Sequence, residues 1–179
     1  MDRLQAAHKG QAHKGQARTP QVDLCANPRN LPDMVRRLFL PACLLVAAVA
    51  CVAVWAAWSY RSSTQIRHGA RLYAEHCAAC HGARLQGQPD WQVADDSGIF
   101  PAPPHDENGH TWHHDDAMLT DYIRRGGQAV LDDMGVSMTS GMPSFGGILT
   151  DGDIAAILAF IKSTWPDRIR AIQTERNGG

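Results

Sequence analysis

The sequence predicts an all-α protein with one N-terminal membrane-spanning helix, and three observations carry that reading. Residues 38–58 form an apolar run of 21 residues without a charge, the length that about 30 Å of hydrocarbon needs as a helix. Three later segments, near residues 66–77, 118–123 and 154–161, place apolar side chains at helical intervals. Nowhere does an alternation of apolar and polar residues run long enough to build a sheet.

Charge divides the chain in the same way. Residues 1–60 carry a net +4 and residues 61–179 a net −5, so a basic front precedes an acidic body. No basic patch with interleaved aromatics occurs in the body, which argues against nucleic acid as a partner. Roughly 100 residues are left for a globular unit, small enough that its core would be marginal alone.

Residues 1–33 are polar and contain a tandem repeat, Ala7-His8-Lys9-Gly10-Gln11 followed by Ala12-His13-Lys14-Gly15-Gln16. Such a stretch buries little and reads as a disordered cytoplasmic segment. His8 and His13 have no acidic or sulfur company, so a metal tract is the weaker reading. Alternatively Met34 is the true start, because Met34-Val35-Arg36-Arg37 before an apolar run is how a bacterial targeting segment begins.

Residues 34–60 read as a transmembrane anchor or uncleaved signal, with residues 38–58 in the bilayer. The apolar run is longer than the 7–15 or so residues of a cleaved signal peptide, although cleavage near residues 53–57 stays open. Arg36 and Arg37 at one end, and Trp55, Trp58 and Tyr60 at the other, put the N-terminus in the cytoplasm and the body in the periplasm by the positive-inside rule. Arg36-Arg37-Leu38-Phe39-Leu40 also has the look of a twin-arginine signal. That route exports folded proteins, which does not suit a chain modified after export. Cys43 and Cys51 read as small membrane-helix residues.

After a polar stalk at residues 61–64, Ile66, Ala70, Tyr73 and Cys77 recur at helical spacing and lead into Cys77-Ala78-Ala79-Cys80-His81. Cys-x-x-Cys-His is the c-type haem attachment signature. Two thiols three positions apart can add to the two vinyl groups of one porphyrin, and the adjacent imidazole then reaches the iron. Cys77 and Cys80 are the candidate thioether anchors and His81 the proximal ligand. A redox dithiol would want a βαβ context, and zinc a second ligand pair. A covalently held haem would also supply the apolar interior that so small a body lacks.

Gly69 sits in the middle of that first helix, where glycine costs about 1 kcal/mol against alanine and permits a close crossing. The partner is the last apolar segment, with Thr150 as N-cap, acids in its first turn, a stripe of Ile154, Ile157, Leu158 and Ile161, and Pro166 as its stop. Gly69 and Tyr73 are expected to cross it near Phe160. Between these helices, residues 82–114 are too rich in Gly, Pro and polar groups for more than a turn or two. A middle helix starts at Asp115 or Asp116 and ends at Gly126-Gly127, residues 128–149 are expected to be loop, and residues 169–179 a flexible tail.

A haem motif closing a first helix, a middle helix, and a capped final helix after Met142-Pro143-Ser144-Phe145 together resemble a class I cytochrome c over about residues 65–166. The likeness is strongest at Gly69, Tyr73, Cys77, Cys80, His81, Met142, Pro143 and Phe160. It is that of a membrane-anchored bacterial cytochrome c with a single haem, in a domain spanning residues 65–168. The resemblance implies the cytochrome c fold, three main helices around the haem with long loops. It also implies a methionine as the second iron ligand, a thioether that raises the potential of His-ligated iron.

Met118 falls on the apolar face of the middle helix and reads as core. Met134, Met138 and Met142 recur every four residues, a spacing that could also suit Cu(I), but Gly135, Gly141 and Pro143 oppose a helix there. Met142 is the expected distal ligand, where the family places it, with Met138 in reserve; Met134 and Met138 are expected to pack around the haem edge. The family also has the proximal imidazole donate its other N–H to a proline-flanked carbonyl. Here that carbonyl is sought within residues 101–104.

Pro101-Ala102-Pro103-Pro104-His105-Asp106 and Gly109-His110-Thr111-Trp112-His113-His114 are similar to a subgroup of cytochrome c-like proteins, a likeness that says little about function. His105, His110, His113 and His114 in this loop read in three ways: a copper or zinc site, a polar loop over a haem edge, or imidazoles that make the potential depend on pH. The functional expectation is a membrane-tethered periplasmic electron carrier in the inner membrane, not an enzyme, possessing one haem c. By the resemblance it passes electrons from a quinol-oxidising complex toward a terminal oxidase, or to another cytochrome. The alternatives are a haem sensor or enzyme with an open distal site and a copper-handling redox module.

Overall fold

The computed structural model describes residues 33–178. The tandem repeat with His8 and His13, and the reading of the front as disordered or mis-started, lie outside the described residues. The chain divides into two units, Met1–Val49 and Ala50–Gly179, and the described residues of the first are helical. The long helix α1 covers Asp33–His76. Its most apolar 18 residues have a mean hydropathy of 2.5 and none is buried, so the helix is long and apolar enough to cross a membrane. Leu44, Val49, Val52, Trp55 and Trp58 are all exposed, a run of apolar surface that water does not favour. Residues 61–64, expected as a stalk, are helical, with Ser63 and Thr64 hydroxyls both donating to Tyr60 O.

The second unit is mainly helical. After α1 come α2 (Ala78–His81), α3 (Asp116–Arg125), α4 (Gly127–Asp133), α5 (Asp151–Ser163) and α6 (Asp167–Arg176), with a 3-10 turn at Thr111–His113. Asp115 caps α3 by accepting from Met118 N, and Gly126 ends it at φ 86, a conformation that side-chain-bearing residues avoid. Thr150 and Asp153 form a reciprocal capping box at the start of α5. These caps stand where the residue types placed them.

The core is set by the crossing of α1 and α5. A Cβ on Gly69 would lie 1.8 Å from Ala156 O, so only glycine allows the two backbones to meet there. One turn on, the Tyr73 and Phe160 rings pack with centroids 5.4 Å apart. Tyr73, Ile123, Leu149, Ile154, Ile157, Leu158, Ile161, Trp165 and Ile169 share one buried cluster.

Three expectations need correction. Residues 128–149 are not all loop: α4 forms because Val130 and Leu131 find cover in the interior. A short parallel pair, β1 (Ile99–Phe100) with β2 (Thr139–Ser140), ties the two long loops together; two residues per strand leave no alternation to detect. Residues 169–176, expected within a flexible tail, are helical. Pro166 stops α5 and stands as the N-cap of α6, which buries Ile169 and Gln173 and joins the haem-domain core through Trp165.

Candidate functional site

Helix α1 delivers the Cys-x-x-Cys-His motif directly into a second turn. Cys77 N donates to Tyr73 O at 2.9 Å, and His81 N donates to Cys77 O at 2.9 Å, so both thiols and the imidazole leave one compact turn. Cys77 is partly buried, Cys80 is exposed, and both are free thiols. Burial, with the neighbouring Cys80 adding to it, pushes the Cys77 thiol up to about 11. Among the described residues no further His, Cys, Asp or Glu joins the two thiols to complete a metal site, so a zinc centre has no second ligand pair here.

His81 is buried, and its Nδ1 lies 2.8 Å from Pro103 O. A carbonyl can only accept, so Nδ1 carries the proton and Nε2 is the bare, ligating nitrogen. Burial lowers the His81 pKa, with the Pro103 bond partly opposing it, which keeps the ring neutral as a metal ligand requires. The proline run is well suited to the task, because proline has no N–H to spend and its carbonyls stay available. Leu85, at φ 61, turns its carbonyl to accept from His105 N at 2.8 Å and Asp106 N at 3.2 Å, fixing the end of that run.

Met142 is held by its backbone on both sides. Its N–H donates to Ser140 Oγ at 3.2 Å and its carbonyl accepts from Gly127 N at 3.1 Å. Its half-buried side chain packs against the core cluster, as do Cys77, Ala78 and Phe145. Met138 is 39% and Met134 51% exposed. The chain leaves α4 at Gly135 (φ 67) and carries both over the surface. Met118 is half-buried on α3, in keeping with a packing role.

The histidine-rich loop separates into one inward ring and three outer ones. The His105 ring stacks on His81, with centroids 4.0 Å apart and planes at 20°. His110 stacks on Trp91 and meets His114 edge-on, while His113 stacks on Trp112. Among the described residues no three His, Cys, Asp or Glu side chains come together to hold a metal ion. The second-metal reading of this loop therefore has no geometric support. No local pattern in the chain marks His105 as facing His81, or Trp165 Nε1 as donating to His105 O at 2.7 Å.

A family model described as Cytochrome c matches residues 66–165. The chain belongs to the cytochrome c family. No curated protein and no solved structure matches it. This cytochrome carries covalently bound haem c and is a haem-based electron-transfer protein, in a family of carriers rather than enzymes. Its residues fit the group: two unpaired thiols on one turn, a neutral imidazole with one nitrogen free, and a thioether in the same apolar surroundings. No buried side-chain nitrogen or oxygen is left without a partner among the described residues of this cytochrome.

Proposed function

We propose that this cytochrome is a membrane-tethered electron carrier with one haem c, attached through Cys77 and Cys80 and ligated by His81 and Met142. The observation that carries the reading is His81: buried, neutral, and oriented by Pro103 O at 2.8 Å with its other nitrogen free. Bound haem supplies one-electron chemistry between ferrous and ferric iron. His81 would hold the haem iron through Nε2, its basicity raised by the Nδ1–H bond to Pro103. Met142 is the better second ligand, because its backbone is pinned and its side chain is turned toward the core, whereas Met138 is exposed. With His81 and Met142 both holding the iron, no position on it would remain for a substrate.

The apolar helix would cross the inner membrane and hold the haem domain in the periplasm. Tethering raises the local concentration at membrane partners. Those partners would be a quinol-oxidising donor and a terminal oxidase or second cytochrome. The net −5 of residues 61–179 favours a basic docking patch and an association rate that falls with salt.

Carbon monoxide added to the reduced holoprotein tests the saturated site. Unchanged visible bands support the carrier reading. A rapid carbonyl adduct would show an open distal position and move sensing or catalysis to the front.

A further inference from the structure

In-plane bonding alone does not fix an imidazole. The bond from His81 Nδ1 to Pro103 O leaves the ring free to rock about the line joining the two atoms. A flat group against its face stops that motion. His105 supplies one, parallel to within 20° at 4.0 Å.

His105 is itself held at three points. Its backbone N–H donates to Leu85 O at 2.8 Å. Its Nδ1 lies 2.8 Å from Thr111 Oγ1, and the Thr111 hydroxyl donates to Pro104 O at 3.3 Å. Its carbonyl accepts from Trp165 Nε1 at 2.7 Å. Trp165 is 2% exposed and stands directly before α6. That helix grips the same loop again, with Gln173 Nε2 donating to His114 O at 3.3 Å and to Asp116 Oδ1 at 2.7 Å. A segment beyond the family match thus closes on the loop that orients the imidazole.

We infer that His105 and Trp165 are positioning residues that set the plane of the His81 imidazole, His105 by stacking on it and Trp165 by fixing the His105 backbone from the C-terminal segment. The inference rests on His81 being the proximal ligand. Groups that orient a first ligand tune the metal as well as hold it. Histidine suits the stacking position because the Thr111 bond locks its own ring plane, which a phenylalanine could not do.

The test is the electron paramagnetic resonance spectrum of the full-length ferric holoprotein, with melting temperature measured alongside. In His105→Ala the g values shift and the signal broadens, and His105→Phe restores most of the shift by returning a flat ring. Trp165→Phe, which keeps the bulk and removes the Nε1 donor to His105 O, shifts the g values in the same direction by less. Wild-type g values in both His105→Ala and Trp165→Phe, whatever the change in melting temperature, would overturn the inference. Where His105→Ala gives no holoprotein, Trp165→Phe decides alone. His81→Ala separates the two readings. If it keeps the wild-type signal, His81 is not the ligand and both fall; if it loses the signal while the other variants stay unmoved, only the inference falls.

Discussion

Gly69 and Ala156 meet backbone to backbone: a Cβ on Gly69 would stand 1.8 Å from Ala156 O. No rotamer relieves that overlap, because the obstacle is main chain. Gly69→Ala must push α1 and α5 apart, which overpacking data put at about 1–3 kcal/mol. Chemical denaturation of the holoprotein measures it. Gly152→Ala is the control, since a Cβ there meets nothing nearer than Thr150 Oγ1 at 3.8 Å; that variant should be neutral or slightly more stable.

Ile169 is 1% exposed within α6. Ile169→Ala should therefore cost about 2–5 kcal/mol, as for other buried aliphatic truncations, read as a lower denaturation midpoint. A flexible tail would give no change at all.

That contrast marks how far the sequence could be read. The α1–α5 crossing, the Thr150 cap and the haem motif were legible because each depends on residues close in sequence or on one small residue in an apolar stripe. The carbonyl that receives the His81 proton was narrowed to residues 101–104 and no further, since four neighbouring carbonyls differ only in how the chain turns. Helix α6 was missed because charged residues surround its few apolar ones, Ile169 and Ile172. Trp165, Ile169 and Gln173, at four-residue spacing on either side of Pro166, were the available signal. The His105 stack and the exposure of Met134 and Met138 depend on long-range loop closure, which no local pattern encodes.

The two thiols make a separable prediction. Cys77→Ser or Cys80→Ser leaves one thioether, and the double variant leaves none, so acid-acetone extraction should release haem only from the double variant. Intact mass resolves the three cases.

His110 and His114 face each other edge-on. The pKa of each is lowered, first by burial and then by neighbouring histidines, with Arg176 adding to the lowering at His114 and Asp115 opposing it. For His110 the burial is one-sided: the residue is exposed, but one ring face lies on Trp91. Above the ordinary histidine value of about 6.5 both states are neutral and no stability is lost. Below it the unfolded chain takes up protons first, so stability declines until the folded pKa values are passed. Melting temperature should fall between about pH 6.5 and pH 5, and fall less in a His110→Gln/His114→Gln double variant. An identical slope in that variant would show that other groups, such as the buried His105 and the carboxylates, account for all of it.

The most direct measurement is the visible and near-infrared spectrum of the holoprotein in both oxidation states, for the natural chain, Met142→Ala and Met138→Ala. Ligation by His81 and Met142 gives low-spin ferric haem with a methionine-sulfur charge-transfer band that survives Met138→Ala and disappears in Met142→Ala. A band that persists without Met142, or a natural chain with high-spin ferric haem and no such band, would contradict it.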